Sequence, residues 1–159
     1  YGPSSILGFH PPLPKTMVKK KNILFVCKHN VFRSKFAEEY MKKINEVCNI
    51  ASAGVIQSKT LSCSQNQIDA AKEFGVDMPF DSKTLSIEEL REQDLVIIIA
   101  SDIPKEIFDN PLYELEGKLE FWDIDDVENL YEPTSKNSKE ILKQVAAKID
   151  ELNERLISE

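Results

Sequence analysis

Short apolar runs alternate along this chain with segments in which apolar positions recur every three or four residues. The first run, "NILFV" at residues 22–26, follows a lysine cluster and has only Asn22 as a polar member. Such a run predicts a short strand covered on both faces of a parallel sheet. From Ser34 the period changes, and Ala37, Tyr40, Met41, Ile44 and Val47 fall on one face of a helix. "NIASAGV" (49–55) reads as a second strand ending at Gly54, and Ser64 with Gln67 offers a capping box for a helix running to Phe74 and Gly75. Ser86 and Glu89 offer another before a short helix, and "DLVIIIA" (94–100) is the clearest buried strand. In "SDIPKEIF", Asp102 is placed to cap a short helix that tolerates Pro104 in its first turn. "NPLYELEG" reads as a loop and "KLEFW" (118–122) as a fourth strand. A closing helix over 138–158 lines up Ile141, Leu142, Val145, Ile149, Leu152 and Leu156.

Alternating strands and helices predict an α/β fold: a single domain with a four-stranded parallel sheet flanked by helices on both faces. Ligands of such sheets bind outside the carboxyl ends of the strands. The segment leaving the first strand, "CKHNVFRS", and the one leaving the fourth, "DIDDVEN", therefore share one rim although about a hundred residues separate them.

Composition narrows the setting. At 159 residues and 42% hydrophobic the chain suits one core. Residues 1–16, "YGPSSILGFHPPLPKT", lack an initial Met and precede Met17, so they read as an appended leader, with the domain spanning 17–159. Three cysteines, at 27, 48 and 63, form no CxxC pair, so neither a disulfide framework nor a zinc site is suggested and a reducing, cytoplasmic setting fits best. A net charge of −7 spread over mixed-sign helices argues against nucleic acid as a partner. No apolar run approaches the ~20 residues that span a bilayer, so no membrane partner is expected. Neither a metal-ligand cluster nor a Gly-rich nucleotide loop occurs, and no cofactor is implied.

The loop at 27–34 is where chemistry concentrates. A strand running into a helix N-terminus turns backbone N–H groups inward, where the helix dipole also favours an anion. Cys27 at the foot of that loop, with Arg33 near, is favoured as a thiolate and hence as a nucleophile. The planar fork of Arg33 suits two oxygens of a tetrahedral anion. Ser34 can hydrogen-bond the thiolate, and Asn30 tolerates the left-handed backbone that a tight loop demands. A lone cysteine is most often a small buried hydrophobe. Here Cys, Asn, Arg and Ser converge at one strand-to-helix junction in a chain with three arginines, and that combination outweighs the bland reading.

"VCKHNVFRSKFAE" resembles the V-C-x5-R-S-x-x-A-E signature of the low-molecular-weight protein tyrosine phosphatase superfamily, which also contains arsenate reductases. "ASAG" (51–54) and "WDIDD" (122–126) fall where that family has similar segments, and the resemblance spans about residues 21–157. It implies hydrolysis of phosphotyrosine or another small phosphate monoester through a cysteinyl-phosphate. Cys27 would be the nucleophile, Arg33 with the loop residues Lys28, His29, Asn30, Val31, Phe32 and Ser34 would bind the phosphoryl group, and Asp126 would be the general acid. The partner would be a phosphorylated protein or a small-molecule phosphate. Asp126 is chosen over Asp125 by aligning the family's W-D-x-x-D-P pattern on "WDIDDV", where Val127 stands in place of proline.

Two further readings stand beside the phosphatase. "C-x-H-N" is similar to some arsenate reductases, in which case a second thiol must come from Cys63 or from outside, because Ala100 stands where thioredoxin-linked reductases have a cysteine. The same cradle could also bind phosphate without turnover. Tyr131 and Trp122 are the aromatic residues near the acid loop. Trp122 ends an apolar run and is expected in the core. His29, the one histidine of the domain, is expected to shape the loop.

Overall fold

The four apolar runs form β1 (Asn22–Cys27), β2 (Asn49–Gly54), β3 (Leu95–Ile99) and β4 (Leu119–Trp122). In this computed structural model, which describes residues 20–57, 61–126 and 134–159, they make one parallel sheet in the order β2-β1-β3-β4. The helices are α1 (Arg33–Ile44), α2 (Gln65–Lys72), α3 (Ile87–Arg91) and α4 (Ser135–Ser158). The leader, Val127 and Tyr131 lie outside the described residues.

Alternation along the strands sends side chains to two layers. Ile23, Phe25, Ile97 and Ile99 meet Phe36 and Met41 of α1, Ala70 and Ala71 of α2, and Ile141, Val145 and Ile149 of α4. Leu24, Val26, Val96 and Ile98 face the other way and pack with Leu90 of α3, Phe108 and Leu115. Both faces are therefore covered, which is why these strands carry no polar face. Trp122 is buried as expected, its ring centroid 5.9 Å from that of Phe25. No helix of the described residues is long and apolar enough to cross a membrane.

Several local expectations give way to tertiary contacts. The helix α1 stops at Ile44, because the Asn45 side-chain oxygen accepts from the backbone N–H groups of Val47 (2.9 Å) and Cys48 (2.8 Å); Val47 is exposed and not part of the apolar face. The last helix starts at Ser135, three residues earlier than expected, since Thr134 and Asn137 form a complete capping box. Ser64 and Gln67 do the same for α2. At α3 only half the box forms: Ser86 accepts from the Glu89 N–H, while the Glu89 carboxylate pairs with Lys83. "SDIPKEIF" yields a single 3-10 turn, Lys105–Phe108, and Asp102 does not cap it.

Strand order fixes where a ligand can sit. The chain goes from β1 out to β2, then returns to the opposite side of β1 for β3, so the carboxyl ends of β1 and β3 flank a crevice. Gly54, paired with Cys27 across the sheet, lets the loop after β1 lie close. A Cβ at Gly54 would stand 2.6 Å from the carbonyl carbon of His29 and 2.8 Å from the Asn30 nitrogen, both backbone atoms. Gly54→Ala is expected to cost about 1–3 kcal/mol in urea unfolding, as overpacking against immovable backbone does. A loss below a few tenths of a kcal/mol would show that the loop can retreat freely.

Candidate active site

Three segments meet over the β1–β3 crevice: residues 28–32 after β1, Ser101–Asp102 after β3, and Asp123–Asp126 after β4. Side-chain oxygens of Ser64, Ser86 and Thr134 cap α2, α3 and α4, but α1 begins after Phe32 with no side-chain cap and no acidic residue in its first turn. Its first N–H groups are left for an anion. Phe32 itself is buried in the core, so only its backbone faces the loop's chemistry.

Cys27 ends β1 and is buried. Its Sγ lies 2.9 Å from the Ser34 hydroxyl and accepts from the Asn30 backbone N–H at 3.3 Å. Asn30 takes φ 57°, the left-handed conformation expected of it, and is wholly buried. Its side-chain amide donates to Ser34 Oγ and Ser52 Oγ, each at 2.8 Å, while its carbonyl oxygen accepts from the Lys83 N–H at 2.8 Å. Lys28, His29 and Val31 are half-buried around the loop, and the Lys28 carbonyl accepts from the Ile56 N–H at 2.9 Å.

Arg33 is buried at the start of α1 and reaches the other two segments. It donates to the Ile124 carbonyl at 2.9 Å, to Asp102 Oδ1 from both terminal nitrogens at 3.4 Å, and to Asp126 Oδ2 at 3.4 Å. Its Nε is buried without a partner among the described residues. An unpaired buried donor is costly, and an incoming oxyanion is the kind of group that would satisfy it. Asp126 and not Asp125 faces Arg33: Asp125 is exposed and accepts from the Ser101 hydroxyl.

The sequence reading misplaced Asp102 and raised Cys63 only as a second thiol. Asp102 was expected to cap a helix and instead stands against Arg33, with one oxygen, Oδ2, buried and unpartnered among the described residues. Its position just beyond the carboxyl end of β3 at the strand-order reversal was the available signal. Cys63 lies beside the loop and donates its S–H to the Val31 carbonyl at 3.1 Å. Its thiol is pushed up to about 12, first by burial and then by the negative charges of Asp126 and Cys27. Cys27, Asp126 and Cys63 thus occupy one neighbourhood.

A buried cysteine under an uncapped helix end, an arginine with a spare donor and a carboxylate across from it can together bind a tetrahedral oxyanion and open it to attack at its centre. A model of the family described as low molecular weight phosphotyrosine protein phosphatase matches residues 22–159. Arsenate reductase 1 of Staphylococcus haemolyticus is 31% identical over 141 residues, covering 87% of this chain and 98% of the relative. Among solved structures, a low molecular weight protein tyrosine phosphatase from T. tengcongensis superposes with a TM-score of 0.71 at 25% identity, covering 86% of this chain and 99% of that one. A YwlE mutant from Bacillus subtilis gives 0.73 at 23% identity with coverage of 86% and 99%, a likeness of fold. The chain belongs to the low molecular weight phosphotyrosine protein phosphatase family, whose members include phosphatases and arsenate reductases.

Proposed function

We propose that the protein is a cysteine-dependent phosphomonoesterase acting on phosphotyrosine or another aryl or small phosphate monoester, on a protein or free. The Cys27 thiolate attacks phosphorus, the bond to the ester oxygen breaks, and Asp126 gives that oxygen its proton. Water then attacks the cysteinyl-phosphate while Asp126 takes its proton; the S–P bond breaks and inorganic phosphate leaves. Arg33 and the loop amides hold the phosphoryl oxygens throughout. The carrying observation is Asp126 beside Arg33 on the rim that holds Cys27, where it can give a leaving ester oxygen its proton, whereas the second thiol that arsenate reduction also needs is present at Cys63 only as a thiol pushed up to about 12 by burial. A cytoplasmic setting goes with this reading, since a nucleophilic thiol must be kept reduced.

The name of the S. haemolyticus relative favours arsenate as a second reading. There Cys27 would attack arsenic with loss of water. A second thiol would then attack the Cys27 sulfur, forming a disulfide and releasing arsenic two electrons richer. Cys63 is poorly suited to that attack, being held as a thiol pushed up to about 12. An external thiol would have to serve.

The test is release of nitrophenol from para-nitrophenyl phosphate between pH 5 and 8, with a chelator present and with the Cys27→Ser protein as control. Cys27-dependent turnover that phosphate or vanadate inhibits is expected. Thiol-dependent arsenate reduction without ester hydrolysis would reverse the order of the two readings, and oxyanion binding with neither activity would leave a phosphate-binding module.

A further inference from the structure

The hydrogen bonds around Asn30 have a direction, and that direction is set far from the thiol. The backbone N–H of Lys83 can only donate, so the Asn30 oxygen faces it and the Asn30 NH2 faces the two serines. Each serine oxygen is therefore an acceptor toward Asn30 and must send its own hydrogen elsewhere. The Ser34 hydrogen then goes to the Cys27 sulfur, 2.9 Å away, which is the arrangement that stabilises a thiolate. The Ser52 hydrogen goes to Glu38. A carboxylate can only accept, so Glu38 is what keeps Ser52 from turning its hydrogen back into the network. Lys42 and Lys35 pair with Glu38, Lys35 at 3.7 Å.

We propose that Glu38 is a positioning residue for the nucleophile: it anchors the chain Glu38–Ser52–Asn30–Ser34 so that the Ser34 hydroxyl points at Cys27. Asn30 and Ser34 are wholly buried and Ser52 nearly so, so water offers no alternative partner. Both the final Glu of "RSKFAE" and the serine of "ASAG" thereby acquire a role. The proposal rests on Cys27 being a nucleophile, which the hydrolase and reductase readings share.

Charge and orientation predict opposite signs. Cys63 lies within electrostatic reach of both Cys27 and Asp126, Asp126 pairs with Arg33, and Asp102 lies against Arg33 as well. Removing one more negative charge at Glu38 would by itself make the thiolate easier to form. Loss of the acceptor would make it harder. Alkylation of Cys27 by iodoacetamide at pH 6, followed on the Cys27 peptide by mass spectrometry, reads this directly. Glu38→Met is expected to slow alkylation about three- to tenfold, the worth of one hydrogen bond. Glu38→Gln, which restores an acceptor without the charge, is expected to rescue most of it. In a Ser52→Ala background Glu38→Met should add less than about twofold, because the link it acts through is gone.

Faster alkylation in Glu38→Met, or the same slowing with and without the Ser52 hydroxyl, overturns the proposal. Should Glu38→Met fail to fold, Ser52→Ala alone decides: it removes an acceptor from Asn30 and should slow alkylation about threefold, and an unchanged rate in the folded variant is the overturning result. Nitrophenyl phosphate turnover is measured alongside. Its absence from the wild-type protein with the alkylation pattern intact would remove the hydrolase reading and leave the positioning role standing.

Discussion

Cys27→Ser is expected to lower turnover of nitrophenyl phosphate by on the order of 10⁴-fold or more while leaving phosphate binding within a few-fold of wild type. The separation follows from where the two tasks lie. In the proposed reaction binding falls to the uncapped N-terminus of α1 and to the guanidinium of Arg33, whose Nε has no partner among the described residues. Attack there falls to the sulfur alone. A serine hydroxyl keeps the hydrogen-bonding partners of that sulfur, the Ser34 hydroxyl and the Asn30 N–H, but it is a far weaker nucleophile at neutral pH. Calorimetric titration with phosphate and steady-state kinetics on the same preparation check both halves. Retained turnover would exclude covalent catalysis at this position, and lost binding would mean that the sulfur itself shapes the anion site.

Asp126→Asn has a result of a different form, dependent on the leaving group. Esters of poorly acidic alcohols need a proton at the departing oxygen and should slow about 10²- to 10⁴-fold. Esters of acidic phenols leave unaided and should slow less than about tenfold. Asp125→Asn should do little, since Asp125 is exposed and engaged with Ser101. The ion pair adds a second readout. Asp126 sits 3.4 Å from Arg33, so an arriving phosphate competes with it for the guanidinium. Neutralising it should therefore tighten phosphate binding even as catalysis fails. Equal slowing across leaving groups would remove Asp126 from the acid role, and weakened phosphate binding would show that the carboxylate supports Arg33 in place of competing with it.

What the sequence discloses about this molecule follows the range over which each feature is determined. The strands are legible because burial on both faces leaves an unbroken apolar run, and "LVIII" admits no other reading within so short a span. The loop at 27–34 is legible because its functional groups are close in sequence and each residue type has a local reason to be there. Asp102 is not, since Asp before Pro104 has a good local role as a cap, and only the fold brings Arg33 from 69 positions away to claim it. Local pattern does not choose between Asp125 and Asp126, because neighbours in a loop carry no periodicity that says which one points inward; only the family's motif register selected Asp126. Val47 continues the helical period on paper, but the Asn45 side chain ends the helix first.

The cradle around Cys27 draws on Gly54 and Ser52 from β2 and on the Lys83 backbone, segments that become neighbours only when β2 has docked beside β1. A chain still emerging from synthesis through residue 44 possesses the whole signature motif yet lacks the groups that orient it. The loop around Cys27 therefore gains these partners only once β2 and the Lys83 segment are in place. Selective labelling of this one cysteine would then serve as a gauge of how many molecules in a preparation have completed folding.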